Sequence, residues 1–263
     1  MKKLNIIFLI AIIMNISFFP LQAKEIIKPP EGDFEDNYND DKSLIIFISG
    51  LAGKNTWTKL IRLLKKDDKF NKYDFLIYFS SIDYDISTHA SRLNYIITEK
   101  LSNYTNKIFV AHSVGGIIAK SILMQESIDS SAFPKLIIFF GTPMKIDYFN
   151  IKLLKTSFLN FIVESMPELK KDVLDPDVII PINLEWNKFF LENQNKINCL
   201  AVFGTNDKIA IAKGENNKFS ILITGTHKKI VSPLSNKDCS FVVFKNKVLN
   251  INEDVKKLRC VIE

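Results

Sequence analysis

The chain has 263 residues, of which 47% are hydrophobic, and its 35 lysines and arginines against 29 acidic residues give a net charge of +6. This length allows one large domain or two small ones, and the apolar fraction is enough for a sizeable core. The basic residues are scattered and form no stripe interleaved with aromatic residues, which argues against nucleic acid as a partner. The small surplus allows a transient contact with an anionic membrane surface, although solvated lysines explain the same counts.

The N-terminus has the features of a secretory signal peptide. A basic start at Lys2 and Lys3 precedes a mostly apolar run, Leu4 to Phe19, and then the small or apolar residues of Pro20–Ala23. We predict that residues 1–23 are removed and that the protein is exported, to the periplasm or outside the cell. An uncleaved membrane anchor is the alternative, but the run is short for a membrane span. The charged, Pro-containing and Asn-containing residues 24–42 are then predicted to form a flexible lead-in.

Six apolar runs that are rich in β-branched and aromatic residues predict strands buried on both faces. They are Ser43–Ile48, Phe75–Phe79, Ile108–Val110, Leu136–Phe140, Leu200–Phe203 and Phe219–Ile223. Amphipathic helical patterns separate the first four. Strands and helices that alternate at this spacing predict right-handed crossovers and a mostly parallel sheet with helices on both faces. Residues 43–263 are therefore predicted to form one α/β domain.

The stretch from Thr142 to Lys196 interrupts this alternation, because it contains no strand pattern. It has two helix-like segments, Ile151–Met166 and Ile182–Asn193, and the second begins directly after a proline. A segment this long between two sheet strands is uncommon unless it has a function. We predict a helical cap at about residues 145–195, over the C-terminal edge of the sheet where open α/β sheets bind ligands. A packing insertion without a role in substrate binding is the alternative.

The most informative motif is Val110–Gly116, which stands between an apolar run and an amphipathic one. It has the pattern of a nucleophile elbow, a strand, sharp turn and helix, with Ala111 in place of the usual first glycine. The turn is tight, so the residues two before and two after Ser113 must be small, and Ala111 and Gly115 meet that need. Such a turn lifts the serine hydroxyl out of the sheet and places it at a helix N-terminus, where unpaired N–H groups favour negative charge.

A nucleophilic serine needs a base within hydrogen-bond reach and an acid that orients the base. The chain has three histidines. We expect the His112 side chain to point away from the serine into the helix packing, and His89, near the start of a helix, to lie on the surface. His227 follows the last strand pattern on a loop, and such loops reach the edge of the sheet where Ser113 stands. His227 is therefore the predicted base.

The acid in proteins with this elbow lies between the serine and the histidine in chain order. Asp207, at the C-terminal tip of the penultimate parallel strand, is the predicted acid, and it would hold one tautomer of the imidazole. Asp147 is the alternative. The predicted oxyanion donors are the backbone N–H groups of Val114 and Leu51, because the two glycines in the loop Ser49–Gly53 let its backbone approach the reacting carbon.

Together these residues resemble the serine-esterase branch of the α/β-hydrolases. The motifs are Phe47–Gly53 followed by Thr56-Trp57, then Ala111–Gly116, Phe140–Pro143 and Gly204–Asp207, and finally His227 with Ile230 and Pro233. The branch includes the lipase-like "serine active site-containing" proteins and, more distantly, the GPI inositol-deacylases. The resemblance covers roughly Ser43 to Val248. It implies an α/β-hydrolase fold and the triad Ser113, Asp207 and His227.

The chain departs from this family's pattern at two positions. Ser49-Gly50 stands where the family usually has His-Gly. We expect this difference to affect the shape of the oxyanion loop and not the reaction class. Met144 replaces a common His or Arg after Gly-Thr-Pro, which concerns local contacts in the pocket.

The three cysteines fit no metal-binding spacing. An exported chain could oxidise two of them. Cys239 and Cys260 are the predicted pair, because they lie outside the predicted sheet, whereas Cys199 does not.

A triad with oxyanion donors predicts acyl transfer to water, and so a serine hydrolase that cleaves carboxylic esters through an acyl-enzyme on Ser113. The apolar residues of the predicted cap, between Ile151 and Ile162, favour a lipid or acyl ester as substrate. A transacylase or thioesterase acting at the same site is one alternative, and a catalytically silent binding module with this fold is the other. The sequence has no metal cluster, phosphate loop or dinucleotide fingerprint, so neither a metal nor a cofactor is predicted.

Overall fold

The computed structural model describes residues 23–27, 43–50, 53, 55–80, 84–144, 176–207, 210, 219–250 and 254–262. Within these ranges no helix combines the length and the apolar character needed to cross a membrane. The predicted signal peptide, up to residue 22, and residues 145–175 of the predicted cap lie outside the described residues.

Among the residues that the structure describes, eight strands form one sheet. They are β1 Ala23–Ile27, β2 Ser43–Ile48, β3 Tyr73–Tyr78, β4 Asn106–His112, β5 Leu136–Phe140, β6 Cys199–Gly204, β7 Ser220–Ile223 and β8 Val261–Ile262. Their order across the sheet is β1-β3-β2-β4-β5-β6-β7-β8. The six inner strands are parallel, and β1 and β8 pair antiparallel at the two edges. The prediction of an α/β fold with a mostly parallel sheet is confirmed.

Helices cover both faces of the sheet, and this explains why the sequences of the strands are continuous apolar runs. The helices are α1 Thr58–Leu64, α2 Ile86–Tyr95, α3 Val114–Leu123, α4 Pro176–Asn193 and α5 Cys239–Leu249. Alternate residues of β2 point to opposite faces: Leu44, Ile46 and Ile48 pack with α2, α3 and α4, while Ile45 and Phe47 pack with α1 and α5. These five side chains are fully buried, so neither face of β2 can carry polar residues.

Helix α4 begins at Pro176 and continues through Pro181, whereas the sequence predicts a helix that begins after Pro181. A proline at the first helical position loses no hydrogen bond, because that N–H has no partner within a helix. The bond lost at Pro181 is offset by packing, since the Trp186 ring is buried against Phe139 with 5.8 Å between ring centroids. Residues 176–193 therefore form the crossover helix between β5 and β6, on the face of the sheet. The predicted cap is thus restricted to residues 145–175, where it stays a prediction.

The N-terminal strand β1 also differs from expectation. Residues 24–27, predicted as part of a flexible lead-in, pair with β3, and Ile27 lies opposite Phe75. This pairing satisfies the backbone groups along an edge of β3 that would otherwise lack partners. Residues 28–42 of the predicted lead-in lie outside the described residues.

The predicted cysteine pair is confirmed, because a disulfide joins Cys239 to Cys260 and ties the start of α5 to the chain before β8. Cys199 is a free cysteine in β6, and burial raises the pKa of its thiol to about 12. A thiol in this state is unreactive around neutral pH.

The order of the strands identifies one edge of the sheet as the place for a ligand. The chain passes from β2 to β3 on one side and then returns to β4 on the other side of β2. Open α/β sheets bind ligands outside the C-terminal ends of the strands at such a reversal. Ser49-Gly50 follows β2 and Ser113 follows β4, so both lie at this point.

Candidate active site

Ser113 stands at a sharp turn between β4 and α3. Its φ of 55° and ψ of −127° make it the one non-glycine residue with positive φ in the part of the chain that the structure describes. Its N–H donates to the carbonyl of Phe140 at 3.1 Å, and its carbonyl accepts from the N–H of Gly116 at 2.9 Å. A conformation of this kind costs about 1–3 kcal/mol and persists only where the surroundings enforce it. It is the backbone geometry of a nucleophile elbow.

The glycines around the elbow are required by close backbone contacts. A Cβ at Gly115 would lie 2.5 Å from the carbonyl oxygen of Ile48 and 2.6 Å from that of Ser49, because α3 starts directly above the end of β2. A Cβ at Gly50 would lie 3.0 Å from the Cβ of Ser113 and 3.6 Å from its Oγ. The backbone after β2 therefore lies against the serine side chain, where an oxyanion loop is expected.

Asp207 and His227 are brought together from the ends of β6 and β7. His227 Nδ1 lies 2.8 Å from Asp207 Oδ2, and the other carboxylate oxygen accepts from the N–H of Ala210 at 2.9 Å. The aspartate side chain is fully buried and the histidine side chain is 15% exposed. Because an ionised carboxylate only accepts, Nδ1 carries the proton in this bond and Nε2 is the nitrogen left to face a substrate.

Gly141, at the end of β5, packs directly against this pair. Its φ of +53° lies in the left-handed region. A Cβ there would come within 2.9 Å of His227 Nδ1 and 3.0 Å of Asp207 Oδ2. The Asp207–His227 bond is thus enclosed by backbone on the side of β5.

The structure contradicts the expectation that the His112 side chain points away into the helix packing. Its Nε2 lies 3.0 Å from the backbone oxygen of His227, and the centroids of the two imidazole rings are 4.6 Å apart. The pKa of His112 is lowered to about 3, mainly by burial and also by the charge of His227, while the bond to the His227 carbonyl acts in the opposite direction. Alternation along β4 is the signal that could have revealed this, since Val110 and His112 share the face opposite to that of α3.

His89 also differs from its predicted surface position. It is buried in α2, and its Nδ1 lies 2.9 Å from the hydroxyl of Tyr78. The pKa of Tyr78 is raised to about 12, mainly by burial, while the nearby Arg92 acts in the opposite direction. Residue 89 therefore belongs to the packing between α2 and β3.

Of the two predicted oxyanion donors, Val114 is described and Leu51 is not. Val114 is the buried first residue of α3, and the N–H at that position has no acceptor within its own helix. The loop that contains residue 51 is described at Gly53, whose N–H donates to the Gly50 carbonyl at 3.2 Å. Asp147, the alternative acid, lies outside the described residues. In the described ranges, no group of three or more His, Cys, Asp or Glu side chains could hold a metal ion.

No protein-family model matches the sequence, and no curated protein matches it. Solved structures do match. The mature form of the lipase BlEst2 from Bacillus licheniformis has a TM-score of 0.54 at 16% identity, over 83% of this chain and 95% of that one. The propeptide form of the same lipase has a TM-score of 0.57 at 17% identity, and the match covers 87% of this chain and 53% of that one. Carboxyl esterase 2 from the fungus Tuber melanosporum has a TM-score of 0.50 at 14% identity, and the match covers 80% of this chain and 76% of that one. At these identities the similarity shows the fold, and it confirms the α/β-hydrolase fold.

Proposed function

We propose that this protein is a serine hydrolase that cleaves carboxylic esters through an acyl-enzyme on Ser113. The observation that carries the proposal is the 2.8 Å contact between His227 Nδ1 and Asp207 Oδ2, at the sheet edge that also holds the Ser113 elbow. A histidine oriented by a buried carboxylate, at the same sheet edge as a strained serine that stands at a helix N-terminus, supports a site for acyl transfer. The similarity in fold to a lipase and an esterase agrees with this reaction class.

In the proposed reaction, Ser113 Oγ attacks the ester carbonyl carbon while His227 Nε2 takes the hydroxyl proton. The negative charge that develops on the carbonyl oxygen is stabilised by the N–H of Val114 and, as second donor, that of Leu51. Collapse of this intermediate breaks the bond to the alcohol, which leaves with the proton from His227. Water then attacks the acyl-enzyme with the same base and releases the acid. Asp207 stays ionised and stabilises the imidazolium in both steps.

Covalent labelling tests the nucleophile. A fluorophosphonate probe should label the wild type and fail to label Ser113→Ala. Ser102→Ala is the matched control, because Ser102 is exposed and precedes β4 whereas the elbow follows that strand, and it should be labelled like the wild type. Absence of labelling in a well-folded wild type would favour the catalytically silent binding module instead.

Steady-state kinetics test the base. His227→Ala should lower kcat by about 10⁴-fold or more with little change in KM, because it removes an interaction made in the transition state. A loss of less than tenfold would point to a different base.

We propose a lipid or acyl ester as the substrate class. The apolar residues between positions 151 and 162 of the predicted cap support this choice. A panel of esters with short, medium and long acyl chains checks it. A rate that rises with chain length is expected, and a rate that is highest for acetyl esters would contradict it.

We also propose that the protein is exported after cleavage of residues 1–23. The disulfide between Cys239 and Cys260 supports this location, because such bonds persist in oxidising compartments. N-terminal sequencing of the protein from its native host tests the cleavage. A retained Met1 would favour the membrane-anchored alternative.

A further inference from the structure

The side chain of His112 bridges two segments that are far apart in the sequence. It ends β4, immediately before Ser113, and its Nε2 lies 3.0 Å from the backbone oxygen of His227, 115 residues further along the chain. The ring is buried, and its centroid lies 4.6 Å from that of the His227 ring and 6.2 Å from that of the Trp57 ring. One side chain therefore links the strand that carries the nucleophile to the backbone of the proposed base.

The chemistry of this contact fixes the proton on His112. A carbonyl oxygen only accepts, so Nε2 must be the donor. Burial holds the pKa of His112 near 3, so around neutral pH the ring is neutral and carries its single proton on Nε2. This neutral state also suits the reaction, because His227 becomes a cation during catalysis and a second cation beside it would raise the energy of that state.

Backbone hydrogen bonds hold the loop on either side of His227. The N–H of Asn206 donates to the carbonyl of Gly225 at 2.9 Å, and the N–H of Ile230 donates to the carbonyl of Thr226 at 3.2 Å. Thr226, Lys228 and Lys229 are all exposed, and the next buried residue is Ile230. At His227 itself, Asp207 holds the imidazole at Nδ1 and His112 holds the backbone carbonyl.

We propose that His112 is a positioning residue, which holds the backbone of His227 to the elbow so that the imidazole held by Asp207 faces Ser113. This inference rests on the proposed function. Misplacement of a catalytic group by about 1 Å can cost about 100-fold in rate, so a tie of this kind acts on the chemical step.

Two substitutions separate the donor from the ring. His112→Phe keeps an aromatic ring between Trp57 and His227 but removes the donor. His112→Gln keeps a donor nitrogen at the same number of bonds from Cα. We expect His112→Phe to lower kcat by about 10- to 100-fold with KM nearly unchanged, and His112→Gln to stay within about fivefold of the wild type.

His89→Phe is the matched control. It makes the same substitution at the other buried non-catalytic histidine and removes a buried hydrogen bond, to Tyr78, that has no connection to His227. We expect a similar loss of thermal stability but a kcat within about threefold of the wild type. A merely structural role for His112 predicts the same outcome for both phenylalanine variants.

The kinetic outcomes separate this inference from the proposed function. A folded wild type that neither reacts with a fluorophosphonate nor cleaves esters overturns the proposed function. A reactive wild type with an equally fast His112→Phe variant overturns the positioning role alone. An equal loss in His112→Phe and His112→Gln also overturns it, because the donor would then not be the part that matters.

Imidazole ¹⁵N NMR of the wild type tests the same point without any variant or assay of activity. The chain has three histidines, so three imidazole spin systems are expected. His112 should be neutral, with its proton on Nε2, and should not titrate near pH 6.5. A proton on Nδ1 of His112, or ordinary titration, would overturn the inference even if the phenylalanine variant failed to fold.

Discussion

Gly141 gives the most direct test of how closely the Asp207–His227 pair is packed. Its φ of +53° is a conformation that other residues rarely adopt. A Cβ at this position would lie 2.9 Å from His227 Nδ1 and 3.0 Å from Asp207 Oδ2, whereas ordinary contacts begin at 3.4 Å. Gly141→Ala must therefore displace the imidazole or the carboxylate by a few tenths of an ångström.

The size of the effect follows from two costs. A left-handed backbone costs alanine about 1–2 kcal/mol, and the steric overlap adds to it. We expect a total destabilisation of about 2–3 kcal/mol, which lowers Tm by about 4–12 °C for a chain of this size. Loss of a correctly placed aspartate costs about 10⁴-fold in kcat, and misplacement by 1 Å about 100-fold. A smaller displacement should therefore lower kcat by about 10- to 100-fold, with KM nearly unchanged.

A double-mutant cycle shows whether the methyl group acts through the pair. Thermal unfolding gives the stability cost, and the hydrolysis of an activated ester gives kcat and KM. In an Asp207→Ala background the pair no longer exists, so Gly141→Ala should change kcat by less than about threefold. An equal loss of kcat in both backgrounds would refute the reasoning. Wild-type activity and wild-type Tm in the single variant would refute the packing itself.

Three further predictions concern stability. Burial lowers the pKa of His112 from 6.5 to about 3, so between those values the unfolded chain binds a proton that the folded chain excludes. The free energy of unfolding should then fall as pH drops below 6.5, by up to about 1.4 kcal/mol per pH unit, and urea titrations should show a shallower fall for His112→Gln. Asn183→Leu removes an acceptor that lies 2.6 Å from the buried Lys120 ammonium, and it should lower the free energy of unfolding in denaturant by about 2–4 kcal/mol. Lys120→Met should cost less, because it removes the charge as well. The reverse order of the two costs would contradict this. Replacing Cys239 and Cys260 together by alanine opens a loop with a sequence separation of 21 and should cost about 3 kcal/mol, whereas an unchanged unfolding midpoint would show that the disulfide does not constrain the unfolded chain.

The strands could be predicted because burial on both faces leaves a continuous apolar pattern in the sequence. The bounds of Ser43–Ile48 and Leu136–Phe140 agree with the structure, since every residue from 44 to 48 and from 136 to 140 is buried. Strand β4 extends beyond the predicted Ile108–Val110 at both ends, and the buried Lys107 is one of the added residues. The Lys107 ammonium is accommodated by donating to the carbonyl of Ser131 at 3.0 Å. The ammonium also donates to the nearby carbonyl of Tyr104, but Ser131 is 24 residues away in the sequence, and no local pattern reveals that partner.

The candidate site likewise has parts that the sequence predicts and parts that it does not. A turn motif and the ends of two strands were enough to predict the serine, its small neighbours and the order of acid and base along the chain. The carbonyl that His112 contacts belongs to a residue on another loop, so the residue before the serine could be identified but its partner could not. Helix α4 shows that a proline is not a reliable sign of a helix boundary. Pro181 lies inside this helix, which is stabilised by packing against Phe139.

The arrangement of the strands gives a physical reason for glycine at the ends of β5 and β6. Neighbouring strands lie about 4.8 Å apart, so the end of β7 stands about 14 Å from the end of β4. The His227 ring is nevertheless 4.6 Å from the His112 ring, so the chain after β7 must cross over the ends of the two strands between them. A Cβ at Gly141 would meet the His227 ring, and a Cβ at Gly204 would lie 2.4 Å from the carbonyl oxygen of Gly225. These two glycines leave the path open along which the proposed base reaches the serine, and substitution at Gly204 should therefore displace His227 through the backbone at residue 225.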